Sequence, residues 1–330
     1  MSAGIIPSER VHLLVYGPSK PHIEKAFSDQ FVLHVAENVS DLERLSPELS
    51  ADIRGMAVTF MVPASAPVLA RFPKLEIISS FGVGYDHVDS VYAREHGIVV
   101  THTPDVLTEE VADFTLGLLT ATLREFIKAD RYLRSGLWRT QAYPLSVGSL
   151  RDRKVGIVGM GRIGKTIAKR LEGFDRPIVY HSRKPAADVP YKHYPDLVTM
   201  AKDVDVLIAI VPGGPATKNM ISAEVLKALG SNGVLINVAR GSVVDEPALI
   251  EALQNKTILA AGLDVFAQEP KVPQALIDMK NVVLLPHVAS ATDWTRNAMG
   301  QLVVDNLAAW AAGKDPITPV VETPWPPKKK

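Results

Sequence analysis

The chain has 330 residues, 47% of them hydrophobic, with Lys plus Arg and Asp plus Glu both at 36 and no cysteine. That is enough apolar sequence for two packed domains, while balanced charge leaves no global field for nucleic acid or an anionic membrane, and the lack of thiols excludes disulfides, thiolate metal sites and cysteine nucleophiles. The start MSAGIIPSER has no basic stretch followed by an apolar one and no apolar run approaches a membrane span, so a soluble, cytoplasmic protein is expected, with the terminal PWPPKKK read as a solvated end and not a peroxisomal signal.

Runs of strand length come first: VHLLVY, FVLHVA, GMAVTF, LEIISSF and GIVVTH fill the first hundred residues, separated by longer amphipathic segments. This alternation predicts a parallel sheet with helices on both faces. From Thr103 to Gly136, TPDVLTEEVADFTLGLLTATLREFIKADRYLRSG keeps a helical pattern, which predicts one long linker helix between domains. A second series follows, KVGIVGMG, RPIVYHS, DVDVLIAIVP, GVLINVAR, ILAAGLDVF and NVVLLPHVA, with helical segments between, and predicts a six-strand doubly wound unit. The last helical stretch, Asp293 to Ala312, has no later strand to serve and is expected to return to the first domain. The expected division is a discontinuous, flavodoxin-like substrate domain at 1–103 and 287–330, a dinucleotide-binding domain at 104–286, and a cleft between them.

Gly159, Gly161 and Gly164 form G-x-G-x-x-G between a strand and an amphipathic helix. In that context the first glycine makes a tight turn, the second lets backbone approach a pyrophosphate, and the third lets the helix pack on the strand. Met160, Arg162 and Ile163 complete the turn, whose N–H groups at the helix start suit an anion. The next strand then departs from the pattern. It should end on an acidic residue that accepts from both ribose hydroxyls and repels a 2′-phosphate, but VYHSRKP places Ser182, Arg183 and Lys184 there. A hydroxyl, a guanidinium fork and an ammonium suit a phosphate dianion, so NADP(H) is expected in preference to NAD(H). The alternative is a solvated loop whose acidic partner lies elsewhere, with Asp188, beyond a proline, as the candidate.

Arg240 ends GVLINVAR, Glu269 lies in the loop after ILAAGLDVF, and His287 follows NVVLLP. All three lie past the carboxyl ends of strands, where open parallel sheets place their sites, and should face one crevice. The set fits hydride addition to a 2-keto acid, because the keto oxygen gains negative charge as hydride reaches carbon and then needs a proton donor and a cation. His287 would be the acid, Glu269 would hold its imidazole and favour the protonated form, and Arg240 would bind the carboxylate and keto oxygen. Each residue alone has an ordinary alternative, as a surface histidine, a strand cap or a solvated carboxylate; their conjunction in a dinucleotide fold is what points to chemistry. In the first domain SSFGVGYDHVD follows a strand, and Gly82 and Gly84 permit a compact turn whose N–H groups would give the substrate carboxylate a second clamp, the alternative being a plain turn. No His, Asp or Glu cluster has ligand spacing, and no metal is expected.

With these motifs the chain resembles the D-isomer-specific 2-hydroxyacid dehydrogenase family, and within it the glyoxylate/hydroxypyruvate reductase branch, over nearly its whole length. FGVGYDHVD, TPDVLTEEVADFTLGLL, VGIVGMGRIG, INVARGSVVDEPALIEAL, GLDVFAQEP and LLPHVASAT carry the resemblance. It implies an α/β protein of two Rossmann-like parallel-sheet domains, with Arg240, Glu269 and His287 catalytic, Val83, Gly84, Arg240 and His287 on the substrate, and Asp264 near the nicotinamide amide. It also implies cofactor contacts at Val211 and Pro212 and at Val238, Ala239 and Arg240. A homodimer through the long helix and the following arm is implied as well, with Trp138 or Tyr143 either reaching the neighbouring subunit's site or packing in the interface. The expected activity is NADPH-dependent reduction of glyoxylate or hydroxypyruvate to glycolate or D-glycerate. Competing readings are a bulkier 2-keto acid, such as phenylpyruvate or hydroxyphenylpyruvate, and a dinucleotide-sensing protein-binding module of the corepressor type, against which the balanced charge and the lack of interaction tails speak.

Overall fold

The computed structural model describes residues 10–19, 21–146 and 148–327; the start read for a leader and the three terminal lysines lie outside them. The described chain divides into two compact units at Leu107/Thr108 and again at Ala291/Thr292, a few residues past the boundaries expected at 103 and 286.

In the first unit β1 (His12–Tyr16), β2 (Val32–Ala36), β3 (Ile53–Thr59), β4 (Ile77–Phe81) and β5 (Val99–Thr101) form a parallel sheet in the order β2-β1-β3-β4-β5. This is the flavodoxin-like strand order. Leu13, Leu14, Val15 and Tyr16 are all buried, because a parallel sheet is covered on both faces and its strands then read as apolar runs without alternation. Leu14 and Tyr16 pack with Leu42, Phe72 and Ile78. Leu13 and Val15 pack on the other face with Val303, Val304, Leu307 and Trp310 of the closing helix Asp293–Ala311. Burial of aliphatic side chains of this size contributes about 1.5–3 kcal/mol each, so the closing helix is an integral layer of this unit.

The second unit carries β6 (Val155–Val158), β7 (Ile178–His181), β8 (Lys192–Tyr194), β9 (Val206–Ala209), β10 (Val234–Asn237), β11 (Ala260–Leu263) and β12 (Val282–Leu284), in the order β12-β11-β10-β9-β6-β7-β8. That is the doubly wound order with one strand more than the six expected. The extra strand, β8, is a polar edge triplet, Lys-His-Tyr, with only Tyr194 buried; it pairs with β7 without any apolar run to announce it.

The single linker helix expected over 103–136 is also corrected. Two helices, Thr108–Leu123 and Phe126–Arg134, meet at Glu125, whose φ of +52° is left-handed. The first buries Val111, Ala112, Leu118, Leu119 and Leu123, whereas the second buries nothing, so no common packing surface holds the two on one axis. The first helix lies hard against β11: a Cβ on Gly262 would come within 2.5 Å of the Thr122 hydroxyl and 2.9 Å of Leu118.

Candidate active site

The glycine turn after β6 meets three separate steric demands. Gly159 has φ +107°, and a Cβ there would lie 2.5 Å from the Ile210 carbonyl oxygen. A Cβ on Gly164 would lie 2.0 Å from the Gly159 oxygen, so the helix Arg162–Leu171 rests directly on the turn. At Gly161, the N-cap of that helix, a Cβ would meet nothing within 4 Å, and no side chain caps the helix start. Uncapped N–H donors beside open space fit the pyrophosphate of a dinucleotide. Met160 and Ile163 turn their side chains into the core of the unit, so the turn offers backbone to a ligand at those two positions. Val211 and Pro212 follow β9, and the buried Val238 and Ala239 follow β10, which puts them at the same carboxyl edge of the sheet as the glycine turn.

After β7 the Ser182 hydroxyl donates to the Lys184 carbonyl at 2.7 Å, and the His193 ring, on β8, donates from Nε2 to the Ser182 carbonyl at 2.9 Å. The loop is therefore closed on itself while Arg183 and Lys184 are exposed, and among the described residues no carboxylate pairs with either. Asp188 is otherwise engaged. Its carboxylate pairs with Lys165 at 2.6 Å, and that hydrogen bond holds the carboxyl below the usual range.

A histidine–carboxylate pair lies at the opposite half of the sheet. Glu269 Oε2 accepts from His287 Nδ1 at 2.7 Å, and its Oε1 accepts the Phe266 N–H at 3.0 Å. Burial pushes the Glu269 carboxyl up, but the hydrogen bonds from His287 and Phe266 and the charges of His287 and Arg240 outweigh it, and the carboxyl lies below its ordinary value. The bond from Nδ1 to Glu269 fixes the orientation of the His287 ring. His287 has φ +55°, uncommon for a residue with a side chain, and its N–H donates to the Asp264 carbonyl at 2.8 Å. Arg240 follows β10 in a turn pressed against the loop that bears Glu269: a Cβ on the adjacent Gly241 would lie 1.8 Å from the Phe266 carbonyl carbon.

Two supporting residues carry more than the sequence reading assigned. Asn237, 1% exposed at the end of β10, donates from Nδ2 to the Arg240 carbonyl at 3.1 Å and accepts the Ala239 N–H at 3.1 Å, so it shapes the arginine's turn. A polar residue ending an otherwise apolar run was its signal. Asp264, also 1% exposed, accepts from Val288 and Ala289 N–H at 2.8 and 2.9 Å and so ties the end of β11 to the histidine's turn.

Burial pushes the Asp264 carboxyl above its ordinary value, against the lowering by those two N–H groups. A raised carboxyl holds its proton more tightly folded than unfolded, so this contribution to stability is complete below the ordinary Asp value and is lost as pH rises through the raised one. In Asp264→Asn an amide NH2 faces an N–H donor, which is expected to cost about 1–3 kcal/mol at neutral pH and to lower kcat by misplacing His287. Urea unfolding of both proteins from about pH 4 to 7 checks this, and equal slopes of stability against pH would show the carboxyl is not the group titrating.

This fold and site define a dinucleotide-dependent dehydrogenase with a histidine–carboxylate pair, and the chain belongs to the D-isomer specific 2-hydroxyacid dehydrogenase family: the model of that family's NAD binding domain matches residues 116–289. It is 44% identical to the glyoxylate/hydroxypyruvate reductase A HPR2 of Arabidopsis thaliana, over 95% of this chain and all of that one. It is 42% identical to the hydroxyphenylpyruvate reductase of Plectranthus scutellarioides, again over 95% of this chain and all of that one. Among solved structures, the NADPH-dependent glyoxylate/hydroxypyruvate reductase of Sinorhizobium meliloti, in complex with NADP and malonate, superposes with a TM-score of 0.93 at 50% identity, covering 98% of this chain and all of that one.

Proposed function

We propose that the chain is an NADPH-preferring reductase of small 2-keto acids, converting glyoxylate and hydroxypyruvate to glycolate and D-glycerate. The 2.7 Å pairing of His287 with Glu269 carries the reading, because an imidazole oriented by a carboxylate is the arrangement of a general acid. When bound, the nicotinamide supplies hydride to the keto carbon. His287 gives its Nε2 proton to the keto oxygen, and Glu269 holds the ring and balances the positive charge before transfer. Arg240 binds the substrate carboxylate and keto oxygen with a planar fork. The N–H groups of Val83 and Gly84 offer a turn that suits a substrate carboxylate, and Asp264 orders the turn that bears the acid. Arg183 and Lys184 take the 2′-phosphate, with Ser182 closing the loop that presents them.

The working form in this reading is a homodimer. Exposed Phe126, Ile127, Leu133, Leu137 and Trp138 support it, since apolar side chains on one helix and its following arm are a surface a second copy covers. Tyr143 packs edge-on against Tyr132 and so favours a structural part, leaving Trp138, 66% exposed, as the aromatic able to reach a neighbour.

Catalytic efficiencies on glyoxylate, hydroxypyruvate and phenylpyruvate, each with NADPH and NADH, test the proposal. Preference for hydroxypyruvate or glyoxylate with NADPH is expected. Preference for phenylpyruvate would favour the bulkier-substrate reading, for which the hydroxyphenylpyruvate-reducing relative at 42% identity speaks. In Arg183→Ala the NADPH-to-NADH ratio is expected to fall by about tenfold to a hundredfold, the worth of one charge-assisted hydrogen bond; an unchanged ratio would overturn the loop's assignment.

A further inference from the structure

The loop after β4 is anchored by the C-terminal segment of the chain. His102 N–H donates to the Thr318 carbonyl at 3.2 Å, and the Thr318 hydroxyl donates to the His102 carbonyl at 2.6 Å. Val320 N–H donates to the Val100 carbonyl at 2.9 Å, and Val100 N–H donates to the Thr323 hydroxyl at 2.8 Å. Residues 318–323 therefore form a strap along β5, and the buried Asn306 of the closing helix fastens it by accepting the Thr318 N–H at 3.0 Å.

Two side chains carry this strap into the loop. His102 Nδ1–H donates to the Val83 carbonyl at 2.9 Å. Tyr85 meets the His102 ring edge-on, with centroids 5.4 Å apart, and its hydroxyl donates to the Glu322 carboxylate at 2.8 Å. Burial, with the Glu322 carboxylate adding to it, pushes the Tyr85 phenol up to about 12, so this donor keeps its proton throughout the neutral range.

The Val83 carbonyl and the Gly84 N–H belong to one trans peptide plane and point in opposite directions. A ring that pins the carbonyl therefore aims the N–H. We propose that His102, supported by Tyr85 and Glu322 on the C-terminal strap, is a positioning residue for the substrate: it orients the Gly84 N–H toward the carboxylate of the 2-keto acid. The inference rests on the reading in which that N–H binds the substrate carboxylate, and it adds the residues that act through it. None of the three touches the reacting atoms.

The test uses the full chain with NADPH bound and reads KM and kcat for hydroxypyruvate, the Kd for malonate as an unreactive dicarboxylate, and the Kd for NADPH. His102→Leu removes the donor and is expected to raise KM and the malonate Kd about tenfold, with a much smaller change in kcat and no change in NADPH affinity. His102→Gln keeps an N–H donor and is expected to recover most of the loss. Tyr85→Phe, which loses only the bond to Glu322, is expected to raise KM by about threefold and carries the test if His102→Leu does not fold. Unchanged KM and malonate Kd in a folded variant would overturn the inference, and so would a parallel loss of NADPH affinity, which marks a general structural role. A wild type with no turnover on any 2-keto acid overturns the functional reading instead, and the malonate comparison then decides the strap alone. If wild type binds no malonate either, both fall.

Discussion

His287→Gln is expected to lower kcat on hydroxypyruvate by about 10²–10⁴-fold while NADPH binds as before. Glutamine keeps an N–H donor for Glu269, so the loop 264–289 retains its main tie, but it has no proton to give near neutral pH. The loss should therefore fall on kcat and kcat/KM together, the pattern of an interaction made in the transition state. Stopped-flow and steady-state rates, with cofactor affinity measured by fluorescence, check the result; turnover near that of the wild type would show that another group donates the proton.

Arg240→Lys is expected to be nearly as damaging, with kcat/KM reduced about 10²–10³-fold, the worth of one donor aimed at developing negative charge. A lysine keeps the charge and loses the fork, and a single ammonium cannot meet a carboxylate and a keto oxygen in one plane. The replacement should raise KM as well as lower kcat, unlike His287→Gln, because the substrate carboxylate is bound in the ground state too. Equal KM values for the two proteins would place the substrate carboxylate elsewhere.

Particular residues show where sequence reading succeeds. The glycine turn was legible because each of its demands is local: Gly159 needs φ +107°, and Gly164 is the third residue of the helix that rests on the turn. The strand-end placement of Arg240, Glu269 and His287 was legible because apolar runs mark where parallel strands stop. The long helix misled, since its periodicity continues through Arg124 and Glu125, while the left-handed Glu125 breaks it and the second helix, Phe126–Arg134, buries none of its residues. β8 escaped notice because an edge strand of three polar residues has no periodic signal. PWPPKKK drew attention as a tail, while the segment just before it, 318–323, is a fastened strap.

The sequence by itself determined the fold class and the dinucleotide turn, and it singled out Ser182 and the candidate residues Arg240, Glu269 and His287, because spacing, turn chemistry and apolar runs are written within a few residues of one another. Only the tertiary structure decided which groups meet. Glu269 and His287 pair across a separation of 18 residues, and Tyr85 and Glu322 across 237. Asp188 pairs with Lys165, 23 residues away. Such pairings depend on how sheet edges and loops close on one another in space, and no local pattern encodes that closure.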